Sequence, residues 1–313
     1  MLWKIPAPPP NTPNAHWFIL FDVLLSVVLI TYNEEANIAR TLNSVVSLVS
    51  GAAGEIIVVD SGSADNTVEI AKSLGAKVFP EEWKGFAAQK NSAIDKASGE
   101  WILSLDADEE LDEDLQQALK NTFDALDRYS HLAQETGVHP LTLKDALSDV
   151  EWHVSTKLDD NLVGLWIARK NFFLGRWMKH GGFFPDPKLR VFRRGTGRFE
   201  DRAVHETLQV VGRTGTVRYG ALLHHAYPTL AGYIEHMNRY SSLGAQMAVE
   251  KGSRSGPVDL VLRPVATFFY NYFIRLGFLD GRKGLLLHLN HAAYVFWKYA
   301  KVWELAHSSD TKK

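Results

Sequence analysis

The sequence predicts an α/β fold: a mostly parallel sheet flanked by helices, with a helical C-terminal appendage. Three runs carry that prediction. LSVVLITYNEE, EIIVVDSGSADNT and WILSLDADEEL each end a β-branched apolar stretch abruptly at Asn, Asp or Ser, and helix-like sequence follows. Strands covered on both faces read as unbroken Val/Ile/Leu runs, and ligands of parallel sheets sit beyond the carboxyl ends of the strands. Asp60, Asp106 and Asp108 are therefore expected to face one crevice. Gathered carboxylates repel one another unless a cation joins them, and the Asp-Ala-Asp spacing sets two side chains on one side of a strand end. A divalent metal holding an anionic ligand is the economical reading.

The elements follow in order. Residues 1–24, with Pro6, Pro8, Pro9, Pro10 and Pro13, read as an extended tail, and one early lysine without a small-residue cleavage site argues against a signal peptide. The apolar run Trp17–Ile30 contains Asp22 and is shorter than the roughly 20 residues of a spanning helix. Leu25–Thr31 is the first strand, followed by a helix capped by Asn33 with Ile38, Leu42 and Val45 on one face. Glu55–Val59 is the second strand. Ser63 or Asp65 caps a helix through Ala71, which Gly75 ends in the left-handed conformation. A short strand Ala76–Phe79, a helix Phe86–Ser98 ended by Gly99, the strand Trp101–Leu105 and a helix Asp112–Leu126 come next.

Beyond these, residues 127–160 lose periodicity and read as an insertion. Strands resume at Leu162–Ala168 and Lys188–Phe192, and the chain is helical from about Leu230. The expected division is a tail at 1–24, an α/β domain at 25–228 (halves 25–111 and 162–228) and a helical region at 229–313. In that last region Leu285, Leu289, Ala292, Phe296, Ala300 and Trp303 fall at helical spacing and are expected to pack inward or to meet a membrane.

Composition narrows the class. With 313 residues, 46% of them hydrophobic, the chain can bury a large core. A net charge of -2 gives no general attraction to nucleic acid, and no nucleic-acid partner is expected. The absence of cysteine excludes disulfides and thiolate metal sites and fits a reducing, cytoplasmic setting.

Six motifs, in order, resemble the family 2 glycosyltransferases of GT-A fold, especially the bacterial lipopolysaccharide-core β-glycosyltransferases: TYNEE (31–35), VVDSGSADNT (58–67), AAQKN (87–91), LDADE (105–109), NFFLGRWMKHGGFFPDPKLRVFRRG and FEDRAVHE (199–206). The resemblance implies an inverting, metal-dependent transfer of a sugar from a nucleotide diphosphate, UDP-sugars favoured, to a lipopolysaccharide-core or other lipid-linked or surface glycan. A polyprenyl-phosphate sugar synthase would use the same donor site, and a non-catalytic nucleotide-sugar binder is the alternative of another class.

The same resemblance assigns roles. Thr31, Asn33 and Glu35 would cradle the base, Asn33 also serving as a helix cap, and Asp60 would accept a hydrogen bond from a uracil-type N–H or cap its own loop. Lys90 would meet a phosphate or the base. Asp106 would approach the ribose and stand with Asp108 as a candidate metal ligand, and Asp108 would bind Mg2+ or Mn2+ between the two phosphates, where a hard cation stabilises the departing diphosphate. Inversion needs a carboxylate to take the acceptor proton; Asp201 leads, with Glu200 and Glu206 as rivals. His205 either adds a metal ligand or orients a neighbour. Among Arg190, Arg193 and Arg194, Arg193 is favoured to grip phosphate. Trp177, His180, Phe183 and Phe184 would wall the acceptor site or belong to the core. The aromatic and basic stretch around Phe268–Lys283 suits a headgroup layer, so peripheral attachment to the inner face of the cytoplasmic membrane is expected.

Overall fold

The computed structural model describes residues 24–49, 54–136, 162–200 and 207–310. Its centre is the expected parallel set: β1 (Leu25–Thr31) lies between β2 (Gly54–Asp60) and β4 (Trp101–Asp106), and β3 (Lys77–Pro80) continues beyond β2. The register sets Thr31 opposite Asp60 and Ile30 opposite Asp106, so the polar strand ends share one edge. Beyond β4 the sheet turns mixed. β9 (Lys188–Arg193) is antiparallel to β4, β6 (Leu162–Ile167) is antiparallel to β9, and β12 (Arg213–Thr216) is parallel to β6.

Alternation within the apolar strands builds two layers. Leu25, Val27 and Leu29 pack under α1 (Ile38–Asn43), α2 (Val46–Val49), α3 (Thr67–Ser73) and α5 (Glu113–Thr136), among Ile38, Leu42, Val45, Leu115 and Phe123. Val28, Ile57 and Val59 face the other way, against Ala87, Ala93 and Ile94 of α4 (Phe86–Asp95) and Phe199 and Leu208 of the hairpin β10 (Gly197–Glu200)–β11 (Thr207–Val210). A second sheet joins β5 (Glu109–Leu111), β13 (Leu222–Tyr227), β7 (Arg169–Phe173) and β8 (Arg176–Trp177), in that order.

Some local expectations change. Asn33 is not the helix cap: it sits at φ 55, and the cap of α1 is Asn37, four residues after it. The cap of the next helix is Asn66 and not Ser63 or Asp65, although the Asp65 carboxylate accepts from the Thr67 backbone N–H at 3.1 Å, and Gly75 ends that helix at φ 83. α4 stops at Asp95, before Gly99. Gly99 is required elsewhere, because a Cβ there would come within 2.6 Å of the Ser26 backbone nitrogen. α5 runs on to Thr136, through the start of the expected insertion.

Glu55 ties three strands' worth of backbone together. Its carboxylate accepts from Ser26 Oγ, the Ser98 N–H and the Ser98 hydroxyl at 2.7 Å each, and from Lys77 Nζ at 2.8 Å. Burial works to raise this carboxyl, but the bonds from Lys77, Ser98 and Ser26 outweigh it and bring the pKa down to about 2. A carboxylate with a depressed folded pKa stabilises the fold above its unfolded value and loses that contribution as pH falls through the folded value. Glu55→Gln is therefore expected to cost on the order of 1–3 kcal/mol near pH 7 in urea unfolding. The difference from the parent should shrink below pH 4 and vanish near pH 2; a constant difference across that range would refute the account.

The strands end at Tyr227, and Thr229 caps α6 (Leu230–Glu250) by accepting from the Gly232 N–H. α7 (Pro257–Phe269), a π turn at Tyr270–Ile274, a 3-10 turn at Gly277–Asp280 and α8 (Gly281–Asp310) complete the helical region. Lys301 of α8 donates to Asn238 O, Ser241 Oγ and Ser242 Oγ of α6, at 2.7 to 2.9 Å. The inward stripe of α8 is Gly284, Leu287, His288 and Val302, whereas Leu285, Leu289, Phe296 and Trp303, which spacing assigned to one face, remain exposed. The helix is apolar on more than one side, so periodicity alone does not choose the buried one. Among the described residues no helix is long and apolar enough to cross a membrane.

Candidate active site

Two loops close over the crevice at the β1 and β2 ends. The Asn33 N–H donates to Ser63 Oγ at 2.9 Å, and Asn33 Oδ1 accepts from the Ala64 N–H at 2.8 Å. Glu35 accepts from the Asn66 N–H and side-chain amide at 3.0 Å each. Asp60, buried at the end of β2, accepts from Thr31 Oγ1, the Gly62 and Ser63 N–H groups and Ser63 Oγ. Four donors match the acceptor capacity of one carboxylate. Asp60 thus shapes its loop, as the capping alternative held, while standing at the expected strand end.

At the end of β4 the two aspartates differ sharply. Asp106 Oδ1 accepts from Lys90 Nζ at 2.6 Å, and Oδ2 from Arg190. Arg190 also reaches Glu109 Oε1 at 2.7 Å, Arg169 reaches the same oxygen at 3.0 Å, and Arg169 pairs with Asp186 at 2.7 Å. Three cations and three carboxylates form this buried chain, with Lys188 on its rim beside Asp186. Burial opposes ionisation of Asp106, yet Arg190 and Lys90 hold its carboxyl well below the usual range. Burial also works against the Arg190 charge, and Asp106 and Glu109 overcome it.

Among the described residues no lysine or arginine pairs with Asp108. Its backbone carbonyl accepts from the His225 N–H at 3.1 Å, which fastens the β4–β5 turn to β13 and sets His224 beside it. His224 Nδ1 lies 2.7 Å from Asn171 Oδ1, while Asn171 Nδ2 donates to Phe183 O and Asp186 Oδ2. With Asn171 oriented this way, Nδ1 carries a proton, and Nε2 faces Asp108 Oδ2 at 3.4 Å; burial works to raise the Asp108 carboxyl, and the imidazole beside it holds it below its usual range. An imidazole nitrogen and a carboxylate at this distance share either a proton or a metal ion. Ligands at about 2.1 Å from a metal, near right angles, lie about 3 Å apart, so a divalent ion fits this pair. Among the described residues no group of three or more His, Asp or Glu side chains forms a complete metal site, so the other ligands would come from outside this set. Glu34 shares the neighbourhood: burial raises its carboxyl, the Asn37 amide partly offsets this, and the Asp108, Asp65 and Asp106 charges add to the rise.

Sequence reasoning missed His224, Asn171, Glu109 and Arg169. A signal existed in LLHHAY, whose period of two sends His224 and His225 to opposite faces; His225 instead bonds Glu110 at 2.8 Å and stacks on Phe172. Arg193 is a correction. It stands opposite Trp101, at the start of β4 and thus the far end of the strand from Asp106, with its guanidinium over the Trp101 ring and 3.3 Å from Glu100. Antiparallel β9 carries Arg190, not Arg193, to the crevice.

A cavity of about 700 Å3 opens beside this network, between the sheet and the C-terminal helices, lined by Asp106, Arg190, Phe183, Phe199, His224 and Tyr294 among others. Trp177 packs edge-to-face on Phe184 at 5.1 Å, with Lys170 and Lys179 over its ring. His180 points to the helical region, where Asp280 accepts from its backbone N–H at 2.9 Å and meets Nδ1 at 3.0 Å. Glu200, exposed, pairs with Thr207 across the hairpin, and Thr207 lines the cavity. Asp201, His205 and Glu206 lie outside the described residues.

Comparison with known proteins gives a consistent setting. Residues 26–196 match the sequence model of glycosyl transferase family 2. The lipopolysaccharide core biosynthesis glycosyltransferase LpsC of Rhizobium meliloti is 29% identical over 286 residues, covering 90% of this chain and 92% of that protein. An uncharacterised glycosyltransferase of Rickettsia typhi is 28% identical, covering 90% and 87%. Among solved structures, the mannosyltransferase PcManGT of Pyrobaculum calidifontis, in complex with GDP-Man and Mn2+, aligns over 90% of this chain and 88% of its own at 16% identity and a TM-score of 0.47.

Proposed function

From the premise that the chain belongs to glycosyl transferase family 2, we propose that its crevice takes a nucleotide diphosphate sugar, UDP-sugars favoured, and transfers the sugar with inversion to a lipid-linked or surface glycan of the lipopolysaccharide-core type. The observation that carries the donor reading is the asymmetry of the two aspartates. Asp106 is already neutralised by Lys90 and Arg190 and makes a poor metal ligand, whereas Asp108 pairs with no lysine or arginine among the described residues and faces His224 Nε2. Asp108 and His224 would hold Mg2+ or Mn2+, which when bound supplies Lewis-acid stabilisation of the departing diphosphate. His224 takes the role that the resemblance offered to His205.

The chain's own groups account for the rest. Lys90 and Arg190, fixed by Asp106, present positive charge where phosphate oxygens arrive. Asp106 keeps acceptor capacity for ribose hydroxyls. A uracil-type N–H would reach Asp60 by displacing the Ser63 hydroxyl, beside the loops that carry Thr31, Asn33 and Glu35. On the acceptor side, Trp177 and Phe184 offer stacking surface to a sugar ring, and Asp201 takes the proton of the attacking hydroxyl, with Glu200 and Glu206 as the rival bases. The 29% identity to LpsC across nearly the whole chain supports the core-glycan acceptor.

The test is mass analysis of products after a panel of nucleotide sugars is incubated with the protein and lipid extracts of a core-truncated bacterium. A hexose added to a glycolipid is the expected product. Products confined to polyprenyl phosphate, or none with every donor, would overturn the reading. Asp201→Asn, which keeps size but loses basicity, should lower kcat at least about 100-fold with donor affinity nearly unchanged. Retained transfer by Asp201→Asn with loss in Glu206→Gln would move the base to Glu206.

A further inference from the structure

The largest feature that the transfer chemistry leaves unused is an apolar face on the helical region. Val258, Val261, Leu262, Val265 and Phe269 of α7 are 63, 60, 58, 49 and 56% exposed. At 100° per residue they fall within one arc of about 100°, a ridge about 17 Å long. The other side of α7, at Pro264, is buried. The ridge continues without a break into the elbow that follows, where Phe273, Ile274, Leu276, Phe278 and Leu279 are also exposed. Scattered apolar side chains on a surface need no explanation, but a contiguous patch of this length marks an interaction site.

Charge around the ridge indicates what covers it. From Arg254 to Lys283 the sequence holds five cations, Arg254, Arg263, Arg275, Arg282 and Lys283, against two acids. Asp280 is buried with His180, and Asp259 pairs with Arg263 and the Gly256 N–H, so the stretch keeps a net positive charge on its surface. An apolar ridge rimmed by arginine is complementary to anionic headgroups over acyl chains, the arrangement of a helix lying in an interface. The described helices include none that could span a bilayer, so the contact is along the surface.

The same elbow grips the loop beside the cavity. The Gly181 N–H donates to Arg275 O at 2.8 Å, Lys283 Nζ donates to Leu174 O at 2.6 Å, and Asp280 accepts from the His180 N–H. This loop carries Trp177, Phe183 and Phe184.

We propose that α7 and the following elbow form a monotopic docking surface for an anionic phospholipid bilayer, oriented so that the loop 174–184 stands next to the headgroup layer. The proposal deepens the lipid-linked acceptor reading by naming the surface that meets the lipid, and its test requires no transfer activity.

The full chain, without nucleotide sugar, is sedimented with vesicles of phosphatidylcholine alone or doped with phosphatidylglycerol. Strong binding to the doped vesicles, weak binding to the neutral ones, and release by high salt are expected. Val261→Glu with Val265→Glu, both at exposed positions, should lower the bound fraction at least about tenfold. Arg254→Glu with Arg263→Glu and Arg282→Glu should abolish the preference for phosphatidylglycerol, which keeps the proposal testable should the first pair unfold in circular dichroism. Parent protein that stays in the supernatant with both vesicle types overturns the proposal, and light scattering would then show whether a second copy covers the ridge. Undiminished vesicle binding by the folded Val261→Glu/Val265→Glu variant overturns it as well. Loss of transfer with vesicle binding intact would count against the acceptor reading alone.

Discussion

Asp108→Asn is expected to lower sugar-transfer turnover at least about 100-fold while leaving the thermal midpoint within a few degrees of the parent. The substitution keeps the shape of the side chain but removes the charge that faces His224 Nε2. Because Asp108 pairs with no lysine or arginine among the described residues, its neutralisation strands no buried cation and the fold should survive. Asp106→Asn differs in this respect, since it would leave Lys90 and Arg190 without their carboxylate. Steady-state kinetics with saturating donor, together with a melt of each variant, separates the two. Asp108→Asn with near-parental turnover would remove the basis for placing a metal there.

Arg190→Met is expected to be the most destabilising change in the crevice. Arg190 is almost fully buried and holds Asp106 and Glu109 together, the latter with no exposed surface at all. Removing one partner of a buried ionic network leaves uncompensated charge, at a cost of about 3–5 kcal/mol. Lys90 and Arg169 keep each carboxylate one cation, so the lower part of that range is the natural expectation. Urea unfolding of parent and variant at pH 7 measures the difference. A cost under about 1 kcal/mol would mean that the two remaining cations suffice and that Arg190 serves the ligand rather than the fold.

The parallel half of the fold was legible because its signal is long. Seven-residue runs such as LSVVLIT, buried on both faces, have few other readings, and Asp60 and Asp106 follow from where those runs stop. The second sheet was not legible. β5 has three residues and β8 two, too few for a period of two to show, and Glu109 reads as the start of an acidic helix although its carboxylate sits fully buried between two arginines. His224 is hidden for a related reason: its neighbourhood with Asp108 depends on pairing between segments more than 110 residues apart, which no local pattern encodes. The choice of Arg193 over Arg190 failed on strand direction alone, since antiparallel β9 sends the earlier residue to the crevice. On α8 the apolar stripe was read correctly as helical, but the buried side contains Gly284 and His288, which hydropathy ranks below the exposed leucines.

The central claim is that this crevice binds a nucleoside diphosphate through a divalent ion held by Asp108 and His224. Calorimetric titration of UDP into the protein, with Mn2+ present and again with the ion removed by EDTA, tests it most directly, with His224→Ala run beside the parent. The parent is expected to lose at least about tenfold in affinity when the ion is removed, and His224→Ala to show a similarly weak affinity whether or not Mn2+ is present. Equal UDP affinity in the parent with and without Mn2+, or full Mn2+ dependence retained in His224→Ala, would contradict it.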